Sequence, residues 1–237
     1  MRLLFPEAAE DVDPADVYAD LPVANGRPSV RLNMISSIDG ATTLNGVSGG
    51  LGSAGDKRVF AALRSLADVV LVAAGTVRAE HYGPSATPVA IVTRSAHLDW
   101  QSPFFTEPKA RPIVLTGEDA HPDNLVHARQ VADVLIVGAS GVDIPRALAE
   151  LGRRGYGHVL AEGGPSLNGQ LVAANALDEL CLTFSPNLAA GDGKRIIEAA
   201  AFPTPYELSL RSALEEEGFL FLRYRSVATS PPSSPST

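Results

Sequence analysis

The chain has 237 residues, of which 45% are hydrophobic and 19% charged, and it carries a formal net charge of −8. This composition is ordinary for a globular protein with a hydrophobic core. The acidic balance argues against a nucleic-acid-binding or membrane-surface protein, since either would need a basic patch. A single cysteine, Cys181, rules out an internal disulfide and a multi-cysteine metal site, and it favours a cytoplasmic location.

The two ends of the chain predict little regular structure. Residues 1–28 are acidic and contain several prolines, so we expect an N-terminal arm on the surface with at most a short helix near residues 14–21. The first residues fit neither a signal peptide nor a membrane span. Residues 29–227 contain no linker or internal repeat and are predicted to form one domain. Residues 228–237 are rich in Ser, Pro and Thr, and this composition predicts a disordered tail.

The first strand of the domain is predicted from alternating hydrophobic residues between Val30 and Ile38, and it ends at the turn signal Asp39-Gly40. The loop that follows, residues 41–52, contains four glycines and is therefore either mobile or closely fitted to another group. Ser53 and Asp56 have the spacing of a capping box, which predicts the start of a helix.

Continuous hydrophobic runs then predict central strands that are covered on both faces. These runs are residues 69–76, 89–93, 112–116 and 134–138. A helix is predicted from Ile144 to Arg154, a further strand over residues 178–188, and a hairpin at the sheet edge from residues 206–214 and 219–225. Strands that alternate with helices indicate an α/β fold with a mostly parallel central sheet flanked by helices.

The most informative stretch runs from Gly157 to Gly169. It predicts a short buried strand that ends at Gly163-Gly164 and enters a helix at Pro165. Paired glycines let a ligand approach the backbone, and the helix start presents free N–H groups, so this turn would suit a phosphate. The competing interpretation is a tight strand-to-helix turn without a ligand.

The carboxyl ends of parallel strands meet at one edge of a sheet, where ligands bind. Five strand ends rich in Gly, Ser and Thr are therefore predicted to line one cleft: Asp39-Gly40, Gly75-Thr76, Thr93-Arg94-Ser95, residues 138–141 and Gly163-Gly164. A cation between two hydroxyls would suit the ribose 2′-phosphate of NADP, whereas the alternative for Arg94 is a surface arginine that caps its strand.

Two carboxylates follow strands in this predicted cleft, Asp39 and Glu162, and the alternative role of each is to stabilise a turn. The five histidines show no metal-ligand spacing. Neither a zinc deaminase motif nor a Gly-x-Ser-x-Gly nucleophile elbow is present, so no metal site is predicted.

Five motifs occur in an order that resembles the reductase domain of riboflavin biosynthesis, a family with the dihydrofolate reductase fold. They are residues 36–40 (SSIDG), the helix over 53–64, residues 74–80 (AGTVRAE), residues 161–167 (AEGGPSL) and residues 178–186. The resemblance extends from about Val30 to about Arg225. It implies NADPH-dependent reduction of the ribosylamino side chain of a pyrimidine 5′-phosphate to a ribitylamino chain, by a homodimer.

The resemblance also implies the site residues. Asp39 corresponds to the acid at the reacting end. The positions that match substrate-binding residues are Asn33, Ser48, Arg64 and Glu162. The positions that match cofactor-binding residues are Gly50, Gly75, Thr76, Glu80, Thr93, Arg94, Ser95, Gly138, Gly163, Gly164, Pro165, Ser166 and Leu167.

The implied reaction moves a hydride from C4 of the nicotinamide to C1′ of the opened, imine form of the substrate. Asp39 would assist protonation or orient the base. Its expected partial burial at a strand end predicts a raised pKa, which suits a proton donor.

The chain departs from the family pattern after Glu80. Family members commonly have Asp-Asp-Pro there, followed by a substrate arginine, whereas residues 80–84 read EHYGP. The substrate phosphate is thus left without an assigned partner, and Lys57, Arg58 and Arg78 are candidates.

Two other functions stay open. One is reduction of dihydrofolate or another pterin, with Asp39 hydrogen-bonded to the pteridine. The other is a non-catalytic NADP-binding protein. The sequence separates neither the deaminated from the undeaminated pyrimidine substrate nor one oligomer size from another.

Overall fold

A computed structural model describes residues 1–227, so the tail predicted over residues 228–237 lies outside the described residues. The strands are Arg2–Phe5 (β1), Ser29–Ser37 (β2), Val69–Ala73 (β3), Val89–Val92 (β4), Ile113–Thr116 (β5), Asp133–Ile136 (β6), His158–Ala161 (β7), Glu179–Ser185 (β8), Leu208–Glu216 (β9) and Phe219–Ser226 (β10). The helices are Pro14–Tyr18 (α1), Ala54–Ser65 (α2), Ala74–Ala79 (α3), Pro103–Thr106 (α4), Pro122–Val131 (α5), Ile144–Arg153 (α6) and Pro165–Ala173 (α7).

All ten strands form one sheet in the order β1-β9-β10-β8-β2-β7-β3-β4-β5-β6. The seven strands from β8 to β6 in this order pair in parallel, and the hairpin β9–β10 adds antiparallel strands beside β8. The predicted fold class, a mostly parallel sheet with a C-terminal antiparallel hairpin, is confirmed.

The central strands are buried on both faces, as their continuous hydrophobic sequences predict. In β3, Val69 and Leu71 pack into the core that includes helices α6 and α7, whereas Val70 and Val72 pack into a second core on the opposite face. The neighbouring strands are covered in the same way, and in sheets of this kind ligands bind at the carboxyl ends of the strands.

The N-terminal residues differ from the expected surface arm. Strand β1 pairs with β9 and forms the edge of the sheet, so the C-terminal hairpin is not at the edge. Helix α1 packs its Tyr18 into a third core, where the side chain is 1% exposed. The segment is too short and too acidic to reveal a hydrophobic pattern, and its burial depends on helix α2 and on the C-terminal strands β8, β9 and β10.

Two further differences concern helices. The hydrophobic run after Val69 does not continue as a strand to Thr76, because helix α3 begins at Ala74. A short apolar run is compatible with either structure. Helix α5 was not predicted at all, since its only buried residue is Ala128. The predicted start of α2 is confirmed, because the Ser53 hydroxyl accepts a hydrogen bond from the backbone N–H of Asp56, but the Asp56 carboxylate bonds Thr183 and so does not complete a capping box.

Candidate functional site

A cleft of about 440 Å³ opens at the carboxyl ends of β2, β7 and β3, against helices α2 and α3. Its volume falls in the range typical of sites for small ligands. The polar residues that line it are Asn33, Thr42, Thr43, Ser48, Asp56, Arg64, Thr76, Glu80, Tyr82, Glu162 and Lys194. They come from six separate segments of the chain, so the tertiary structure assembles the cleft.

The turn between β7 and α7 forms one wall of the cleft. Gly163 and Gly164 have φ angles of +93° and +74°, values that side chains with a Cβ rarely adopt. A Cβ at Gly164 would lie 2.5 Å from the Cβ of Ala73, and one at Gly163 would lie 3.1 Å from the sulfur of Met34. The glycines therefore let this turn pack closely against Ala73 and Met34, and the backbone of Gly163, Gly164 and Pro165 lines the cleft at the start of α7.

An ion pair forms a second wall. The Arg64 guanidinium donates two hydrogen bonds of 2.7 Å to the two carboxylate oxygens of Glu162. The Tyr82 hydroxyl donates to Glu162 Oε2 at 2.6 Å. The Glu162 side chain is only 3% exposed, and the arginine is 26% exposed. The buried carboxylate is thus fully engaged, while the guanidinium keeps one edge toward the cleft.

The electrostatics of this group follow from burial and from Glu162. Burial acts to lower the pKa of Arg64, but the hydrogen bond and charge of Glu162 outweigh it, so the pKa is raised. Burial and then the charge of Glu162 raise the pKa of Tyr82 well above its ordinary value. Both side chains therefore stay protonated and act as hydrogen-bond donors to Glu162.

Helix α2 lines the cleft with Asp56, Phe60 and Arg64. These residues are four apart in sequence and therefore share one face of the helix. The Arg64 guanidinium lies 4.6 Å from the centre of the Phe60 ring. At the start of the helix, Asp56 accepts a 2.9 Å hydrogen bond from the Thr183 hydroxyl on β8. Burial raises the pKa of Asp56, and the Thr183 hydrogen bond opposes part of that rise.

The glycine-rich loop over residues 41–52 closes the cleft and is tied down at two points. The backbone N–H of Ser48 donates to Glu80 Oε1 at 2.8 Å. The backbone N–H and the hydroxyl of Thr42 both donate to the carbonyl of Lys194. Glu80 thus anchors the loop, and Lys194, an exposed residue, is held among the residues that line the cleft.

Several residues expected at a cofactor site lie outside the cleft, at the neighbouring ends of β4 and β6. Arg94 is 79% exposed and pairs with Asp119 at 3.2 Å. Asp119 also accepts a hydrogen bond from the backbone of Gly141. The two other residues of the Thr93-Arg94-Ser95 turn accept hydrogen bonds from Ala96 and His97, and Gly138 packs against Gly141. The five strand ends therefore form one edge of the sheet but not one pocket.

Three further positions predicted to bind the cofactor are not among the residues that line the cleft. Gly50 is exposed in the loop over residues 41–52, beside Leu44, and does not line the cleft. Ser166 is exposed in the first turn of α7, whereas the Leu167 side chain is 2% exposed and belongs to the core. Leu167 could therefore contact a ligand only through its backbone.

Asp39 is the clearest correction. It lies in a separate shallow depression, and its exposed carboxylate accepts hydrogen bonds from the Ser37 hydroxyl and from the backbone N–H groups of Ala189 and Ala190. These hydrogen bonds, that of Ser37 first, lower its pKa from 3.8 to about 2. The predicted raised pKa is wrong because the side chain is neither buried nor short of donors. Its geometry is that of a turn-stabilising carboxylate.

The candidate partners of a substrate phosphate also lie elsewhere. Arg58 pairs with Glu216, Arg78 donates to the carbonyl of His97, and Lys57 is exposed on the other side of α2. None of the three lines the cleft. Sequence reasoning missed Asp56, Phe60, Tyr82 and Lys194 among the residues that line it, as well as Thr42 and Thr43. The spacing of Asp56, Phe60 and Arg64 was the available signal for the first two.

Within residues 1–227, no helix is both long and hydrophobic enough to cross a membrane. The same part of the chain contains no group of three or more His, Cys, Asp or Glu side chains arranged to hold a metal ion.

This chain is similar to known proteins over most of its length. It is 30% identical over 179 residues to the 2,5-diamino-6-ribosylamino-4(3H)-pyrimidinone 5′-phosphate reductase of Aquifex aeolicus (strain VF5), which covers 70% of this chain and 80% of the relative. A crystal structure of a pyrimidine reductase-like protein from Corynebacterium diphtheriae is 26% identical with a TM-score of 0.81, and covers 92% of this chain and 100% of that one.

A second structure shows the fold alone. Dihydrofolate reductase from Enterococcus faecalis, in complex with NADP(H), is 15% identical with a TM-score of 0.51, and the match covers 87% of this chain and 99% of that one. The dihydrofolate reductase-like fold is confirmed. The model of the RibD C-terminal domain matches residues 28–217. Because this match spans most of the chain, the chain belongs to the RibD C-terminal domain family.

Proposed function

We propose that this chain is the NADPH-dependent reductase that converts the ribosylamino side chain of 2,5-diamino-6-ribosylamino-4(3H)-pyrimidinone 5′-phosphate to a ribitylamino chain. The observation that carries the proposal is that the open Gly163-Gly164 backbone and the buried Arg64–Glu162 pair line the same cleft. Family membership and the name of the Aquifex relative support the substrate class.

The family implies a nicotinamide cofactor, and the residues present fit one. The backbone of Gly163 and Gly164 lines the cleft without a side chain, and Gly75 and Thr76 line it as well, with the Thr76 hydroxyl 3.5 Å from the Cβ position of Gly164. These residues and the N-terminus of α7 would hold the cofactor, which supplies a hydride when bound. We assign the selection of NADPH over NADH to Arg94. Its exposed guanidinium would release Asp119 and form an ion pair with the 2′-phosphate of the cofactor.

The substrate lies against the other wall. The paired Arg64 and Glu162 present a fixed, planar polar surface, and the Phe60 ring beneath the guanidinium holds that surface in place. Tethering of the 41–52 loop by Glu80 reduces the access of water to the bound substrate. These residues would orient the side chain of the substrate toward the nicotinamide.

Lys194 is the partner that we assign to the substrate phosphate. Two cationic side chains line the cleft, Arg64 and Lys194, and the first donates two hydrogen bonds to Glu162. Within the described residues, the Lys194 ammonium has no carboxylate partner. The Thr42 hydroxyl donates to the backbone carbonyl of Lys194 and so fixes the position of this residue. Its flexible, charged side chain could then reach a substrate phosphate at the rim of the cleft.

Replacement of Lys194 by Met tests this assignment. We expect a KM for the phosphorylated substrate that is roughly tenfold to 100-fold higher, the value of one hydrogen bond to a charged group, with little change in kcat. The matched control is Lys57→Met, which removes an exposed lysine outside the cleft. An equal rise in the KM of the dephosphorylated substrate would contradict a role in phosphate binding.

The function itself is tested by NADPH oxidation, followed by absorbance, with three substrates in parallel. The substrates are the diaminopyrimidinone phosphate, its deaminated uracil counterpart and dihydrofolate. Rapid oxidation with a pyrimidine phosphate, and slower oxidation when NADH replaces NADPH, would support the proposal. Oxidation with dihydrofolate alone would make the chain a pterin reductase. NADPH binding without oxidation of any substrate would leave a binding protein.

A further inference from the structure

Asp56 is a carboxylate residue of the cleft that neither forms an ion pair nor anchors a loop. Glu162 is engaged by Arg64 and Tyr82, and Glu80 is engaged by the backbone of Ser48. Asp56 receives one side-chain hydrogen bond, from Thr183 to Oδ1. Its Oδ2 accepts no hydrogen bond from the described residues. The cleft thus contains a half-buried carboxylate with unused acceptor capacity.

Two neighbours keep that carboxylate accessible and oriented. A Cβ at Gly52 would lie 3.1 Å from Oδ2, so the absence of a side chain there leaves this oxygen uncovered. Thr183 is 2% exposed on β8, and its hydroxyl holds the other carboxylate oxygen, Oδ1. The group is therefore positioned by buried structure, which is what selective recognition of a ligand requires.

The diaminopyrimidinone phosphate and its deaminated uracil counterpart differ at one ring position that such a carboxylate can distinguish by hydrogen bonding. The diaminopyrimidinone has an amino group on C2 next to the N3–H, and these two adjacent donors match the two oxygens of a carboxylate. The deaminated substrate has a carbonyl oxygen on C2 in place of the amino group. That oxygen accepts hydrogen bonds, as a carboxylate oxygen does, so the two would repel each other. An unmatched polar group of this kind can reduce kcat/KM by several orders of magnitude.

We propose that Asp56 determines specificity: its carboxylate binds the 2-amino group and N3–H of the substrate and so selects the undeaminated pyrimidine. This inference rests on the proposed function. It also assigns an orientation, with the C2 edge of the ring toward the start of α2 and the 5′-phosphate toward Lys194. The raised pKa of Asp56 is consistent with the partial desolvation of the carboxylate.

A purely structural role is the competing explanation. Asp56 lies in the first turn of α2, where any acidic residue interacts favourably with the helix dipole. That role would affect stability and would act equally on both substrates. The ratio of kcat/KM for the two pyrimidines therefore separates the two explanations.

The experiment measures kcat/KM for the diaminopyrimidinone divided by kcat/KM for the uracil substrate, in the wild type and in Asp56→Asn. An amide presents one donor and one acceptor and so matches the deaminated pyrimidine. We expect kcat/KM for the diaminopyrimidinone to fall about 100-fold and the preference to move toward the uracil substrate. The Kd of NADPH should stay within about threefold of the wild-type value, because the proposed cofactor contacts are at Gly75, Thr76 and the glycine turn and do not include Asp56.

Two matched variants complete the design. Glu216→Gln removes one negative charge beside α2, outside the cleft, and should leave the ratio unchanged. Thr183→Val keeps the carboxylate but removes the hydroxyl that orients it, so it should lower the ratio severalfold. It also provides the test if Asp56→Asn does not fold.

The outcomes are distinct. A ratio that is the same in the wild type and in Asp56→Asn would overturn this inference and leave the proposed function intact. A wild type that prefers the deaminated pyrimidine would also overturn it. If the wild type turns over neither pyrimidine phosphate, the proposed function fails, and the inference fails with it.

Discussion

Two aspartates at the same edge of the sheet show how strongly local surroundings decide what a carboxylate does. Asp39 follows β2 and is exposed, and three donors around it lower its pKa. Asp56, at the start of α2, is half-buried with one donor, and burial raises its pKa. The first is a stable anion that fixes a loop, and the second is poised to meet a ligand. Only the second lines the cleft.

The loop-fixing role of Asp39 predicts a specific pH dependence of stability. Its folded pKa of about 2 is below the ordinary 3.8, so its contribution is fully present above 3.8 and is lost as the pH falls toward 2. Asp39→Asn should therefore lower the free energy of unfolding at neutral pH. The difference between wild type and variant should shrink below pH 3.8.

Urea unfolding across that pH range measures this difference. A proton-donating role would give another result: the variant would lose kcat at neutral pH while keeping wild-type stability. Asp13→Asn is a useful control, because Asp13 is an exposed helix cap whose neutral replacement should retain most of the capping interaction.

At the scale of elements, the site depends on the turn from β7 to α7. The backbone N–H of Ala73, at the end of β3, donates to the carbonyl of Gly163 at 3.0 Å, so two strand ends are joined where the cofactor is expected. Helix α3 starts directly at this point. The strand ends can approach this closely because Gly164 has no side chain.

Gly164→Ala should therefore damage both fold and site. The added Cβ would meet the Cβ of Ala73 at 2.5 Å, with φ at +74°. We expect a loss of about 1–3 kcal/mol in unfolding free energy, the usual range for such backbone strain. Displacement of the turn should also weaken NADPH binding at least about tenfold.

Thermal unfolding and NADPH titration test this variant together. Gly83→Ala is the matched control, because a Cβ there meets nothing within 4 Å and the residue has no positive φ. Wild-type NADPH affinity in Gly164→Ala would show that the turn does not hold the cofactor.

Across the whole molecule, Glu179 joins segments that are far apart in sequence. Its carboxylate lies 2.5 Å from Arg31 on β2, and 2.9 Å and 3.1 Å from Arg223 and Arg225 on β10. Glu179 is fully buried, and the side chains of Arg31 and Arg223 are 5% exposed. The arginines on β10 also contact Asp20, which follows α1. One buried acid thus links the N-terminal segment, the centre of the sheet and the hairpin.

Glu179→Gln should destabilise the protein by about 3–5 kcal/mol, because it leaves two buried guanidinium groups without their carboxylate. Denaturant unfolding gives this value. The kcat of the protein that remains folded should be close to wild type, since the network lies outside the cleft. A loss below about 1 kcal/mol would show that Asp20 and water replace the charge.

Local sequence patterns sufficed for the elements whose determinants are close together in the chain. The continuous apolar runs placed the parallel strands, Ser53 and Asp56 placed the start of α2, and Gly163-Gly164-Pro165 placed the open turn. Each of these depends on dihedral preferences, capping or burial over a few residues. The same motifs led to the correct family and fold class.

Long-range packing decided the rest. Strand β1 finds its partner more than 200 residues later, and the choice between Asp39 and Asp56 depends on which helix and loop cover the end of β2. Lys194 reaches the cleft because Thr42 holds its backbone. Burial and distance between remote segments are properties of the folded chain, so no pattern over a few neighbouring residues contains them.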